Sequence, residues 1–337
     1  MAMSSNIEFE TNSFPGHAKP EVPATSELTS IAIAARGNEI TGLDIYQKTP
    51  SDTTESRIKE LMAAMNADIP TGGTSMAYGD KESQYLQFWK PKSSKSPIIL
   101  FVHGGSWTSG TCLDSIGSAK VTHLLRQGYA FASVNFSLIP SVTVEEQVQE
   151  VANSLAYLAG NATGLDIDPE RVILMGHSSG AHVVTLLGTD SSYLDRAGIN
   201  IHTVRAVISL DGSNYNAPAE ISDSPGNIAE NMMTGLGTDL KRLQAMSPTY
   251  HTSAPNAGAF LLLHVQRQGD IRQAIELRMA LKAAGTEAAL HVFEGEWFEG
   301  HIQILLRLGD PTYPPTLVMD NWLKIHVPVD CDTNSLD

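Results

Sequence analysis

Two serines stand back to back between glycines in Gly176-His177-Ser178-Ser179-Gly180, inside the stretch VILMGHSSGAHVV over residues 172–184. The pentapeptide fits G-x-S-x-G, in which the central serine sits on a sharp turn from a buried strand into a helix. Small flanking residues let two chain segments cross closely, so the same letters also suit a plain strand-to-helix turn. Register on such an elbow selects Ser178 as the candidate nucleophile. Ser179 is off-register and offers its backbone N–H instead. A serine hydroxyl attacks poorly at neutral pH, so it needs a base, and the base needs an orienting carboxylate.

In elbow folds those partners follow in the order serine, acid, histidine. His301 in WFEGHIQIL is the candidate base, and Asp270 in HVQRQGDIRQ the candidate acid. Both follow apolar, strand-like runs, at the carboxyl ends where open α/β sheets place their sites. Asp211 in SLDGS is the rival acid. Asp270 is preferred because it leaves one strand between acid and histidine. Asp270 also reads as a helix N-cap with Gln273 at N3, a role compatible with the first. Standing alone, His301 reads equally as a capping or surface histidine. His264 and His291 fall within apolar strand patterns and read as core or sheet residues.

Attack on a carbonyl creates an oxyanion, and removing one donor from the hole that holds it costs about 10²–10³ in rate. His103-Gly104-Gly105-Ser106-Trp107 directly follows the apolar run IILFV. Glycines there let backbone N–H groups face a ligand, although a Gly-Gly turn alone would look the same. Trp107 could wall an acyl pocket, and Trp297 and Phe298 the leaving-group side. Core packing is the competing reading for all three aromatics.

Alternating strands and helices must position these residues. Strand-like runs occur at 83–89, 97–105, 129–136, 171–176, 206–212, 259–265 and 288–295. Between them lie a helix ending at Gly128, a helix from Thr143 with Val144, Val148, Val151, Leu155 and Leu158 on one stripe, and a helix over 271–284. Thr143 and Glu146 form a capping box for the second. Nearly continuous apolar strands that alternate with helices predict an α/β fold, a mostly parallel sheet with helices on both faces. Residues 1–80 read as an N-terminal arm and cap, with an amphipathic helix near 56–68. Residues 81–330 read as the catalytic domain, with an insertion near 213–256 rich in Ser, Asn, Pro and Gly. Residues 331–337 read as a polar tail.

The 337 residues are 42% hydrophobic and 18% charged, with 22 basic against 37 acidic side chains and a formal net charge of −15. Such a surface repels phosphate backbones and anionic lipid, so nucleic-acid and membrane partners are not expected. Cys112 and Cys331 give neither a disulfide framework nor metal spacing. No apolar run approaches the roughly 18 residues of a membrane span. With no signal-like N-terminus, the expectation is a soluble cytoplasmic protein, in which the sequons at Asn135 and Asn161 carry no meaning. The expected partner is a small-molecule ester or amide, with no metal or cofactor. The oligomeric state, monomer or homodimer, is not set by the sequence.

With these motifs in place, the chain resembles the kynurenine formamidase-like esterases, within the hormone-sensitive-lipase-like group of α/β-hydrolases. HGGSW matches their HGGxW motif, which implies the amides of Gly105 and Ser106 as oxyanion donors. GHSSGAH resembles their elbow. MAYGDKESQYLQFWKP, LIPSVTVEEQVQEVANSLAYL and SPTYH resemble their segments before the first strand, the elbow and the penultimate strand. The resemblance covers roughly residues 40–325 and implies a serine esterase or arylformamidase. Two stretches depart from the pattern: VQRQGDIRQ replaces a short acidic turn, and EGEWFEGH crowds three acids near the histidine. An α/β-hydrolase-fold small-molecule binding protein without catalysis is the alternative from another class. A peptidase fits less well, since no second domain is apparent to gate a peptide channel.

Overall fold

The computed structural model describes residues 60, 63 and 70–330, apart from 92, 114, 115 and 225. Most of the expected arm and cap, including all but two positions of its helix, lies outside the described residues, as do Cys331 and the tail. Glu60 and Ala63 are helical.

In chain order the elements are β1 (Thr74–Ala77), β2 (Tyr85–Trp89), β3 (Ser96–Val102), α1 (Ser118–Arg126), β4 (Ala130–Val134), α2 (Val144–Gly160) and α3 (Ala162–Leu165). Then come β5 (Ile167–His177), α4 (Ser179–Thr189), α5 (Ser192–Arg196) and β6 (Val204–Leu210). The insertion carries α6 (Ala217–Asp223), α7 (Asn227–Leu236) and α8 (Leu240–Ala245). The chain continues through β7 (Ala259–Gln266), α9 (Gln268–Ala283), β8 (Glu287–Glu296), α10 (Trp297–Arg307) and α11 (Pro314–His326). The eight strands form one sheet in the order β1-β2-β4-β3-β5-β6-β7-β8. β1 and β2 pair antiparallel, and β3 to β8 run parallel. Residues 74–77, assigned by sequence to the arm and cap, thus form the edge strand of the main sheet.

Every residue of β3 and β4 is buried, as strands covered on both faces must be. Alternation sorts them between two cores. Ile98, Leu100 and Val102 join one core with α2 (Val148, Val151), α4 (Val183, Leu187) and α9 (Leu277). Ile99 and Phe101 join the other with α1 (Leu124), α10 (Ile304, Leu305) and α11 (Met319, Leu323). Fully buried Lys120 of α1 donates to the carbonyls of Ile116, of Gly117 (3.3 Å) and of Leu305 (2.6 Å), which fastens α1 to α10. Both halves of the capping box form, with Glu146 N–H on Thr143 Oγ1 and Thr143 N–H on Glu146 Oε2. Among the described residues no helix is long and apolar enough to cross a membrane.

The β5–α4 turn is possible only with glycine at two places. A Cβ on Gly180 would overlap the carbonyls of Val102 and His103, and one on Gly176 would overlap the Gly180 carbonyl. Backbone cannot swing aside as a side-chain tip can, so Gly180→Ala should destabilise the fold by about 1–3 kcal/mol. Gly160 at the end of α2 has open space around it. Gly160→Ala should leave stability unchanged or raise it by up to about 1 kcal/mol. Thermal denaturation of the two variants checks this, and equal melting temperatures would contradict it.

Candidate active site

Ser178 joins β5 to α4 with φ 56° and ψ −124°. This strained conformation for a non-glycine residue is the kind that persists where surrounding structure enforces it. Here Ser178 N–H donates to the Leu210 carbonyl of β6 (3.1 Å), while Ala181 and His182 donate back to the Ser178 carbonyl. The serine is therefore held by sheet and helix together. Ser179 opens α4, so its N–H belongs to the unpaired first turn, where the helix dipole favours negative charge.

The HGGSW loop lies against this elbow. A Cβ on Gly104 would come 2.9 Å from Ser178 Cβ, so only glycine permits the approach. Gly105, Ser106 and Trp107 all have positive φ (119°, 51° and 61°), and the loop curls until Thr108 and Ser109 donate to the Gly105 carbonyl. Trp107 N–H reaches Ser179 Oγ at 3.4 Å, which ties loop to elbow. Among the described residues the N–H groups of Gly105, Ser106 and Ser179 have no acceptor.

His301 lies in the second turn of α10. Its Nδ1 meets Asp211 Oδ2 at 2.6 Å. The structure corrects the sequence expectation here: Asp211, not Asp270, meets the imidazole. Asp211 follows β6 with φ 45°, which turns its fully buried carboxylate towards β7 and α10. Oδ1 accepts from Val265 N–H (3.1 Å) and lies 3.3 Å from His264 Nδ1. Asp270 sits inside the first turn of α9, whose N-cap position is Arg267. It is thus not the N-cap either, and Arg267 Nη2 pairs with its Oδ2 at 2.7 Å.

Arg267 is the residue that sequence reading missed. Its Nη1 lies 2.6 Å from Asp211 Oδ2 and 2.9 Å from His301 Nδ1. The available signal was a lone basic residue in VQRQGD, beside a site that needs a carboxylate. Burial opposes ionisation of Asp211, yet Arg267 and the contacts with His264 and His301 outweigh it and hold its carboxyl well below the usual range. Burial, and then the Arg267 charge, lower the His301 pKa from its ordinary value near 6.5, against the pull of Asp211. Burial, with Glu220 and Asp211 nearby, pushes the Asp270 carboxyl well up against the opposing pull of Arg267.

His177, beside the nucleophile candidate, packs its ring 4.3 Å from that of His301 and donates from Nε2 to the His301 carbonyl (2.8 Å). Burial and the facing His301 keep its pKa well below normal, so it is neutral and donates from one nitrogen only. His264 is buried in β7 as expected, whereas His291 lies in β8 but is exposed. Trp107 is buried, its indole edge-on to His182 and pressed by Gly235 of α7. The core reading thus describes its packing. Trp297 and Phe298 are 46% and 41% exposed, and the Phe298 ring lies 6.1 Å from that of His301. Among the described residues no group of three or more His, Cys, Asp or Glu side chains could hold a metal ion.

An eight-stranded, mostly parallel sheet, an elbow after β5 and a histidine after β8 define an α/β-hydrolase. The BD-FAE family model matches residues 86–279, more than half of the chain, and the chain belongs to that family. A probable isoprenylcysteine alpha-carbonyl methylesterase of Oryza sativa subsp. japonica is 28% identical over 149 residues, 42% of this chain and 34% of that protein. The kynurenine formamidase of Drosophila melanogaster is 27% identical over 110 residues, 32% of this chain and 35% of that protein. The chain thus spans about a third of the length of these relatives. The crystal structure of esterase B from Lactobacillus rhamnosis superposes with a TM-score of 0.64 at 18% identity, covering 80% of this chain and 89% of that one.

His177→Phe keeps an aromatic ring beside His301 but removes the side-chain donor to the His301 carbonyl. Such a loss costs about 0.5–1.5 kcal/mol. Differential scanning calorimetry should show a melting temperature lower by several degrees, and an unchanged value would contradict the bond.

Proposed function

We propose that this chain is a serine hydrolase of small esters or amides, working through an acyl-enzyme. One observation carries the reading: the 2.6 Å contact between His301 Nδ1 and buried Asp211 Oδ2, in the same fold as a strained serine at the β5–α4 turn. Asp211 holds Nδ1 protonated, which leaves a lone pair on Nε2. Among the described residues neither Nε2 nor Ser178 Oγ has a hydrogen-bond partner, so both are available for chemistry.

Ser178 Oγ attacks the substrate carbonyl carbon while its proton passes to His301 Nε2. The carbonyl π electrons move to oxygen, where the N–H groups of Gly105, Ser106 and Ser179 receive the charge. Collapse of the tetrahedral intermediate breaks the bond to the leaving group, which takes the proton from Nε2. Water then adds to the acyl carbon, gives its proton to Nε2, and the second collapse returns the proton to Ser178 and frees the acid. Asp211 stays ionised throughout and stabilises the imidazolium.

The substrate we favour carries a small acyl group on an aromatic or otherwise apolar partner. Support comes from Trp297 and Phe298, exposed aromatic surface in the segment that carries His301. Methyl ester and arylformamide cleavage, named for the plant and fly relatives, are the two chemistries to compare.

Ser178→Ala should abolish hydrolysis of a short-chain p-nitrophenyl ester and labelling by a fluorophosphonate. Asp211→Asn should lower kcat by about 10⁴, the effect of an orienting acid replaced by its amide. Steady-state kinetics check both, and full activity in either variant would overturn the scheme. A folded chain that no fluorophosphonate labels would point to a binding protein.

A further inference from the structure

Three polar atoms form a triangle at the back of the imidazole: Asp211 Oδ2, Arg267 Nη1 and His301 Nδ1, with edges of 2.6, 2.6 and 2.9 Å. A guanidinium only donates, and an ionised carboxylate only accepts. Nδ1 cannot donate to Asp211 and accept from Arg267 at once, so two tautomers compete. With its proton on Nδ1 the ring donates to Asp211 and is a base at Nε2. With its proton on Nε2 it accepts from Arg267 and is no base. Both contacts are charge-assisted, but the one to the carboxylate is the shorter, 2.6 against 2.9 Å, so the first tautomer prevails. Arg267 then presents a positive charge to the ring edge that becomes cationic during catalysis.

Resting on Asp211 as the orienting acid, we propose that Arg267, anchored by Asp270, is a positioning residue. It fixes the Asp211 carboxylate against His301 and withholds part of that carboxylate's charge from the imidazole. Asp270 serves through Arg267 and not by touching the histidine. The other ionisable groups facing this cluster come from four elements. His264 of β7 lies 3.3 Å from Asp211 Oδ1, and neutral His177 of β5 covers the ring face. Glu220 of α6 accepts from Gln273 Nε2 of α9 (2.8 Å) and from Asn214 N–H (3.0 Å), adding negative charge behind Arg267 and Asp270. Lys120 of α1, its pKa lowered to about 7 by burial, adds a more distant positive charge behind His177 as pH falls below that value. Among the described residues, only Arg267 places a positive charge within 3 Å of Nδ1.

The consequence is a base that works at lower pH than an unperturbed histidine. A base is active when neutral, so kcat/KM falls as pH drops through the His301 pKa. Because burial and then Arg267 lower that pKa, the acid limb of the wild-type profile should have its midpoint below about 6.5. Arg267→Gln removes the charge but keeps an amide donor. Its midpoint should rise by about one unit, the effect of losing a neighbouring like charge. Arg267→Lys keeps the charge and should stay within about half a unit of wild type.

The test is kcat/KM against pH for these variants with Asp270→Asn and Asp211→Asn, each normalised to active sites titrated with a fluorophosphonate. Asp270→Asn retaining more than about a tenth of the activity, with Asp211→Asn near zero, supports the acid assignment. The reverse pattern overturns that assignment and this inference together. With the assignment upheld, an Arg267→Gln midpoint equal to wild type overturns the inference alone, because a merely structural arginine would not move it. If Arg267→Gln does not fold, ¹⁵N-histidine shifts of wild type decide. Nδ1 protonated and Nε2 bare down to below about pH 6.5 supports the proposal, and titration at or above that value contradicts it.

Discussion

One fully buried carboxylate oxygen, Asp211 Oδ2, receives two donors: the guanidinium of Arg267 and the imidazole of His301. A buried charge must be paired, or its group neutralises. That demand organises this end of the molecule. β6 delivers the carboxylate through a left-handed residue, β7 delivers His264 and the Val265 N–H, and the β7–α9 junction delivers the arginine. The helix after β8 delivers the histidine. Asp270 pairs with the other arm of the arginine, and Glu220, held by Gln273, adds negative charge nearby.

The same end of the sheet carries the opposite requirement a few residues away. The elbow must expose a hydroxyl and unpaired N–H groups while the backbone crosses β3 at van der Waals limits. Glycine at 104, 176 and 180 provides the clearance. The Ser178 bond to β6 places the elbow and the acid on one strand end, since Asp211 directly follows the Leu210 whose carbonyl accepts that bond. Ser178 and Asp211 are therefore coupled through two consecutive residues, Leu210 and Asp211, and one hydrogen bond. His177 extends the coupling to the histidine helix from the other side.

Much of this was legible in residue order. Buried parallel strands announce themselves as short apolar runs, and each such run became a strand. Thr143 and Glu146 marked a helix start by local chemistry alone. G-x-S-x-G and HGG were readable because their constraints are steric and local. Which carboxylate meets His301 was not, because it depends on how the chain turns after β6 and on a pairing 56 residues apart. Arg267 pairs with both carboxylates, and the left-handed turn at Asp211 is what brings that one to the imidazole while Asp270 meets only the arginine. Trp107 shows the same limit. Its neighbourhood in sequence suggests a pocket wall, but Gly235 of a distant helix supplies a flat surface that buries it. Long-range packing of this kind leaves no periodic mark.

The most direct test of the account is a crystal structure of the chain inhibited by a small fluorophosphonate. The account predicts phosphorus bonded to Ser178 Oγ, with the phosphoryl oxygen about 3 Å from the N–H groups of Gly105, Ser106 and Ser179. It also predicts His301 Nδ1 on Asp211, with Arg267 bridging Asp211 and Asp270. Phosphorus on another residue, or His301 turned onto Asp270, would contradict it.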